Sequence, residues 1–144
     1  CRSFKADLGL GRAYMATILI IDDENSICQL FKYVFEDAGY TVGLATNGLE
    51  ALEALKHGPH DFMIVDVSMP AMSGKEFMGE LNKRALSDPR LNSIPFVVMT
   101  GENFMEPELN KVFSSAKGFV CYFPKMTPPE EVLAKAREIL DKAV

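Results

Sequence analysis

The sequence predicts an α/β fold, a doubly wound parallel sheet of five strands with helices on both faces. Three observations carry this. Short, almost continuously apolar runs recur five times, as strands buried on both faces should. Each is followed by a stretch with apolar residues at helical spacing, and that alternation argues for βαβ units in one sheet. Four of the five runs end in polar side chains: Asp22 and Asp23, Asp66, Thr100 and Lys125. The C-terminal ends of parallel strands lie along one edge, where open α/β sheets bind their ligands.

The elements follow in order. Thr17, Ile18, Leu19, Ile20 and Ile21 form the first strand, which ends in Asp22, Asp23 and Glu24. Asn25 or Ser26 can cap the helix that follows. Its apolar set is Ile27, Leu30, Phe31, Val34, Phe35 and Ala38, with Gly39 as its stop. Residues 41–46 form a weaker second strand. Asn47 and Glu50 have capping-box spacing and open a helix that runs through Lys56. His57 and His60 flank the Gly-Pro turn that ends it and are expected in solvent. The third strand, from Asp61 through Val65, delivers Asp66 to a loop broken by Pro70 and Gly74. Ser73 and Glu76 then start a third helix carrying Phe77, Met78 and Leu81. Residues 86–93 read as a long loop. Residues 95–100 form the fourth strand, and a helix from Pro107 buries Leu109, Val112, Phe113 and Ala116 before Gly118. The fifth strand spans 119–123, with Lys125 just past it. Thr127 and Glu130 bracket two prolines as a capping box for the last helix, which buries Val132, Leu133, Ala136, Ile139 and Leu140.

Composition excludes several classes. At 144 residues, 48% of them hydrophobic, the chain can bury a sizeable core and is not disordered. The net charge of −5 argues against a bare nucleic-acid binder. No apolar run approaches the length of a membrane span. Three cysteines, Cys1, Cys28 and Cys121, have no metal or redox spacing, so Cys28 and Cys121 read as small buried hydrophobes and the compartment as reducing and cytoplasmic. The eight methionines read as core filler. Residues 1–14 hold Arg2, Lys5 and Arg12 without any sustained period and are read as a leader of cloning origin, the alternative being a native extension cut from a longer chain; the domain is 15–144.

The polar strand ends define the chemistry. Acids on neighbouring strands, about 4.8 Å apart, can share one ligand. Three carboxylates repel one another unless a cation sits among them, and oxygen donors of this kind suit Mg2+, with waters and a substrate phosphate completing its shell. A carboxylate can also be the nucleophile towards a phosphoryl group. An ammonium, a hydroxyl and loop N–H groups would then neutralise the transferring oxygens.

This ordered set resembles the response-regulator receiver domains of two-component signalling. The matching residues are Asp22 and Asp23 after the first strand, Asp66 with Met69, Pro70 and Gly74 at the family's offsets, Thr100 with Gly101, and Lys125. The resemblance covers 15–144 and implies a flavodoxin-like (βα)5 domain with strand order 2-1-3-4-5, which sets strands one and three side by side. It implies Asp66 as phosphoacceptor and Asp23 as a direct ligand of Mg2+, for which Mn2+ can substitute. Asp22 would bind mainly through water, and the backbone carbonyl of Ser68 would complete the protein ligands. Thr100 would hydrogen-bond the phosphoryl group, Lys125 would pair with it, and Tyr122 would be the switch aromatic that turns inward as Thr100 moves. Ser68 and Glu102 would influence how fast the phosphoryl group hydrolyses. The implied donor is a sensor histidine kinase or a phosphotransfer protein. The output would pass through the fourth helix, fifth strand and fifth helix to an unknown target or a C-terminal output domain, with dimerisation left open. One residue departs from the pattern. The family's lysine is usually followed by proline in a cis bond, whereas Met126 follows Lys125, and a cis bond there would cost roughly 3 kcal/mol.

Each feature has an ordinary reading. Acids at a helix start are commonly a solvated complement to the helix dipole, Thr100 could be a plain strand end, Lys125 a surface lysine and Tyr122 simple core. It is their company that favours a site. Three other functions are weighed. A haloacid-dehalogenase-like phosphatase also forms an aspartyl phosphate, but needs a second acid where Ser68 stands. A flavodoxin-like cofactor carrier needs a phosphate loop where Asp22, Asp23 and Glu24 would repel one. A receiver used only for docking would not need the intact acidic set. The reading is therefore a regulatory switch that modifies only itself.

Overall fold

Five apolar runs pair in the order β2-β1-β3-β4-β5, all parallel, in the computed structural model, which describes residues 16–67, 72–101 and 107–142. The strands are β1 (Thr17–Ile21), β2 (Thr41–Ala45), β3 (Phe62–Asp66), β4 (Phe96–Thr100) and β5 (Phe119–Pro124). The helices are α1 (Asn25–Asp37), α2 (Gly48–Lys56), α3 (Gly74–Arg84), α4 (Pro107–Ser114) and α5 (Pro129–Lys142). This is the expected fold and strand order. The proposed leader lies outside the described residues.

Burial grades across the sheet as its position requires. β3 and β4 are buried at every residue, whereas the edge strands β2 and β5 are mostly half-buried. The central strands alternate two apolar faces. Leu19, Ile21, Met63, Val65, Phe96 and Val98 face the side covered by α2, α3 and α4, where Leu52, Phe77, Leu81 and Phe113 complete one core. Ile18, Ile20, Phe62, Ile64, Val97 and Met99 face the other side, where α1 contributes Cys28, Phe31 and Phe35, and α5 contributes Val132 and Ala136. Burying a ring such as Phe31 or Phe35 is worth roughly 1.5–3 kcal/mol, so α1 is held by its inner stripe.

That stripe is narrower than the sequence pattern. Leu30 is 48% exposed, and Ile27 and Val34 only flank the core. Ala38 is buried, and Gly39 ends the helix at φ 102°. Neither Asn25 nor Ser26 caps α1. The flanking residue is Glu24, without a side-chain cap, and the turn before it is closed by Asp22, whose Oδ1 accepts the Glu24 N–H at 2.9 Å. Before α2, Asn47 accepts from the Glu50 N–H at 2.9 Å, but Glu50 returns to the N–H and hydroxyl of Thr46 instead of completing a box with Asn47. Ser73 and Glu76 form a full capping box on α3.

The 86–93 segment is partly ordered. Asp88 accepts from the backbone and guanidinium of Arg90 and starts a 3-10 turn, Pro89–Ser93, that lays Leu91 and Ile94 against the core. α5 starts at Pro129, one residue later than a Thr127 cap implies. The side chain of Leu109 lies outside the described part. His57 is exposed and pairs with Glu53, but His60 is half-buried, with Nδ1 3.1 Å from the Gly58 carbonyl. Burial holds its pKa below the usual histidine range.

Two glycines of α3 make opposite predictions. A Cβ at Gly74 would lie 2.6 Å from the Asp66 carbonyl oxygen, while at Gly79 it would meet nothing within 4 Å. Gly74→Ala is expected to lower stability by about 1–3 kcal/mol, since backbone must yield. Gly79→Ala should raise it by about 0.5–1 kcal/mol. Urea unfolding midpoints of the two variants measure both, and a shift of the same sign in each would contradict the packing described.

Candidate functional site

The site follows from strand register. Ile21 pairs with Val65 across β1 and β3, so the residues one step on, Asp22 and Asp66, come side by side at the C-terminal edge. Asp66 in turn pairs with Met99 of β4, which sets Thr100 one step beyond it. Backbone bonds fix the strand ends. The Asp22 N–H donates to the Ala45 carbonyl at 3.0 Å, and the Val67 N–H to the Met99 carbonyl at 3.2 Å.

Asp22, Asp66 and Thr100 are each at most 3% exposed, whereas Asp23 is exposed. Carboxylate oxygens of Asp22, Asp23 and Asp66 all lie within 4.8 Å of one another. Burying such a cluster is costly without a counter-charge. Lys125 supplies one. Its Nζ lies 3.1 Å from Asp66 Oδ2, 3.3 Å from Asp22 Oδ2 and 4.0 Å from Glu24 Oε1. Burial alone would lower the Lys125 pKa, but hydrogen bonds to and charges on Asp66 and Asp22 outweigh it, so the pKa stands above the ordinary lysine value.

The corner that carries Lys125 does not use a cis peptide; among the described residues there is none. The Lys125 N–H donates to the Thr100 carbonyl at 2.9 Å, and the Thr127 N–H closes a turn onto the Pro124 carbonyl at 2.9 Å. Met126 is left 90% exposed. The chain thus hangs Lys125 from the end of β4.

Thr100 donates its hydroxyl to the Gly101 carbonyl at 3.3 Å. Tyr122 lies away from the carboxylates, its ring between Phe113 and Phe119 and its hydroxyl donating to Asn110 Oδ1 at 2.8 Å. Ser68, Met69, Pro70 and Glu102 lie outside the described residues. The structure therefore brings together Asp22, Asp23, Asp66 and Lys125, sets Thr100 on the adjacent strand end, and keeps Tyr122 on the α4 side.

Three neighbours were not singled out from sequence. Glu24 reaches towards Lys125, and its place in the acid triplet was the available signal. The Cys28 thiol donates to the Asp22 carbonyl at 3.1 Å, and burial with the nearby acids pushes its pKa up to about 11. Asn110 had no sequence signal, since its partner is a strand residue twelve positions on.

Comparison with known proteins bears on the family and the fold. The family model described as the response regulator receiver domain matches residues 18–137. The chain is 32% identical over 126 residues to the alkaline phosphatase synthesis transcriptional regulatory protein PhoP of Bacillus subtilis (strain 168), covering 88% of this chain and 49% of that protein. It is 28% identical over 128 residues to the response regulator SaeR of Staphylococcus aureus (strain USA300), covering 89% and 52%. The chain thus spans about half the length of these curated relatives. Among solved structures it is similar to the chemotaxis response regulator CheY4 of Vibrio cholerae, with TM-score 0.74 and 30% identity over 88% of this chain and 99% of that one. It is also similar to a CheY-like receiver domain protein of Methanospirillum hungatei JF-1, with TM-score 0.76 and 26% identity over 90% and 96%. Among the described residues no helix is long and apolar enough to cross a membrane.

The ammonium's role in stability carries a definite pH sign. Because its folded pKa lies above 10.5, its contribution is fully present below that value and is lost as pH rises through the higher folded value. In metal-free buffer Lys125→Met is expected to be destabilised by roughly 1–3 kcal/mol at pH 7. Its urea midpoint should also fall less steeply than the wild type's in the alkaline range. Equal midpoints at pH 7 would mean that the ammonium does not stabilise the cluster.

Proposed function

The chain belongs to the response regulator receiver domain family, and from that premise we propose that it is a phosphorylation-operated switch with Asp66 as its phosphoacceptor. The observation that carries this is the buried Asp66 carboxylate, 3.1 Å from an ammonium and clustered with two further acids. A lone structural aspartate would need no such company.

In the proposed reaction an Asp66 oxygen attacks the phosphorus of a phosphohistidine on a sensor histidine kinase or phosphotransfer protein, or of a small donor such as acetyl phosphate. A P–O bond to Asp66 forms. The bond to the histidine nitrogen, or to the acetate oxygen, breaks, and the leaving group keeps the electron pair. The product is an acyl phosphate on Asp66. Lys125 exchanges its pairing with the Asp66 carboxylate for pairing with a phosphoryl oxygen. Thr100 turns its hydroxyl from the Gly101 carbonyl to the phosphoryl group, and the Tyr122 ring follows into the vacated space. The face built from α4, β5 and α5 then changes its affinity for an output target or output domain.

The donor set of the site is all oxygen and anionic, which fits a hard divalent cation. Asp23 and Asp66 would hold Mg2+, or Mn2+ in its place, with Asp22 acting largely through water and the Ser68 carbonyl as a further ligand. When bound, the cation supplies positive charge that offsets repulsion between the acids and the incoming phosphoryl group.

With acetyl phosphate and Mg2+, intact-mass spectrometry should find a single phosphoryl addition on the wild type and none on Asp66→Asn. Omitting Mg2+, or introducing Asp23→Asn, should reduce labelling by at least about tenfold. Undiminished labelling of Asp66→Asn would overturn the assignment.

A further inference from the structure

We propose that Asn110 is a latch for Tyr122, a positioning residue that holds the ring in its resting place and so sets how readily the site takes up a phosphoryl group. This rests on the reading of Tyr122 as the switch aromatic. The hydroxyl donates to Asn110 Oδ1 at 2.8 Å and lies 3.3 Å from the backbone carbonyl of the same residue. The ring is bracketed by Phe113, edge-on at 6.5 Å and 85° between planes, and by Phe119, tilted at 5.0 Å and 59°. Burial holds the phenol pKa above its usual value, so at neutral pH it is a donor and Asn110 the acceptor.

Asn110 and Phe113 sit three apart on α4, on one face of the helix. Phe113 is fully buried, and its ring tip would lie 3.2 Å from a Cβ at Gly74. The Gly74 N–H donates to the carbonyl of Val67, the residue after Asp66. A packed line therefore runs from Val67 and Gly74 through Phe113 to the Tyr122 ring. At the far end of that line the hydroxyl is tied back to α4.

An inward turn of the ring carries the hydroxyl away from Asn110, so this bond belongs to one state only. A bond made in one state favours it, and lowers the apparent affinity of any ligand that selects the other. A net hydrogen bond is worth a factor of roughly two to ten. That is the size of the bias expected from the latch, towards the lower end because the backbone carbonyl of Asn110 survives substitution.

The test titrates the full chain with beryllofluoride, a phosphoryl mimic, in the presence of Mg2+, following backbone amide signals by NMR. Asn110→Leu removes the acceptor at an exposed position, and Tyr122→Phe removes the donor while keeping the ring. Each should bind the mimic more tightly than wild type, by roughly two- to tenfold. The double variant should gain no more than the stronger single one, and Asn110→Asp, which keeps an acceptor oxygen, should stay near wild type. Unchanged or weaker binding by Asn110→Leu, or additive gains in the double variant, would overturn the latch while leaving the phosphoacceptor reading intact. If wild type itself fails to bind the mimic, the phosphoacceptor reading falls and the latch with it.

Discussion

Everything at the C-terminal edge depends on one ammonium set between two buried carboxylates. Asp22 and Asp66 are brought together by parallel register, which would leave like charges facing each other in a poorly hydrated crevice. Lys125 lies within 3.3 Å of both. Its positive charge offsets the repulsion between the two carboxylates. One ammonium does not balance three acids. The residual negative charge is of the sign that a further cation would offset.

The sheet explains why so much of this was legible in the sequence. Central strands must be apolar on both faces, so β1, β3 and β4 announce themselves, and the first polar residue after each run marks the edge. Asp22, Asp66 and Thr100 could be read in that way because strand ends in a parallel sheet are also its binding edge. The misreadings arose where tertiary contact, not pattern, decides. Leu30 has the right spacing but lies beyond the width of the α1 stripe that Phe31 and Phe35 already fill. His60 sits in a turn, yet the turn folds back against Gly43 and partly buries the ring. Asn25 and Ser26 are good caps by type, but the chain enters the helix one residue earlier, with Glu24 in the flanking position. The Tyr122–Asn110 bond links two elements and leaves no mark in either.

The departure at Met126 separates what the family resemblance carried from what the chain itself does. A proline after the lysine would shape the corner through its own peptide geometry. Here the corner is built from backbone bonds, Lys125 to Thr100 and Thr127 to Pro124, with Met126 turned out to solvent. The first of these bonds ties the residue that holds Asp66 to the strand end that carries Thr100. Lys125 and Thr100 therefore share a backbone anchor.

That anchor also bears on how a change at Asp66 could reach the surface. β5 is an edge strand, half-buried along most of its length, while β4 beside it is buried throughout. Of the two neighbours of β4, β3 is buried at every residue and β5 is the more exposed. Tyr122 and Lys125 both stand on that side, and Phe113 joins it to the loop behind Asp66. The sheet is thus asymmetric about β4, with a fully buried strand on one side and a mostly half-buried edge strand on the other.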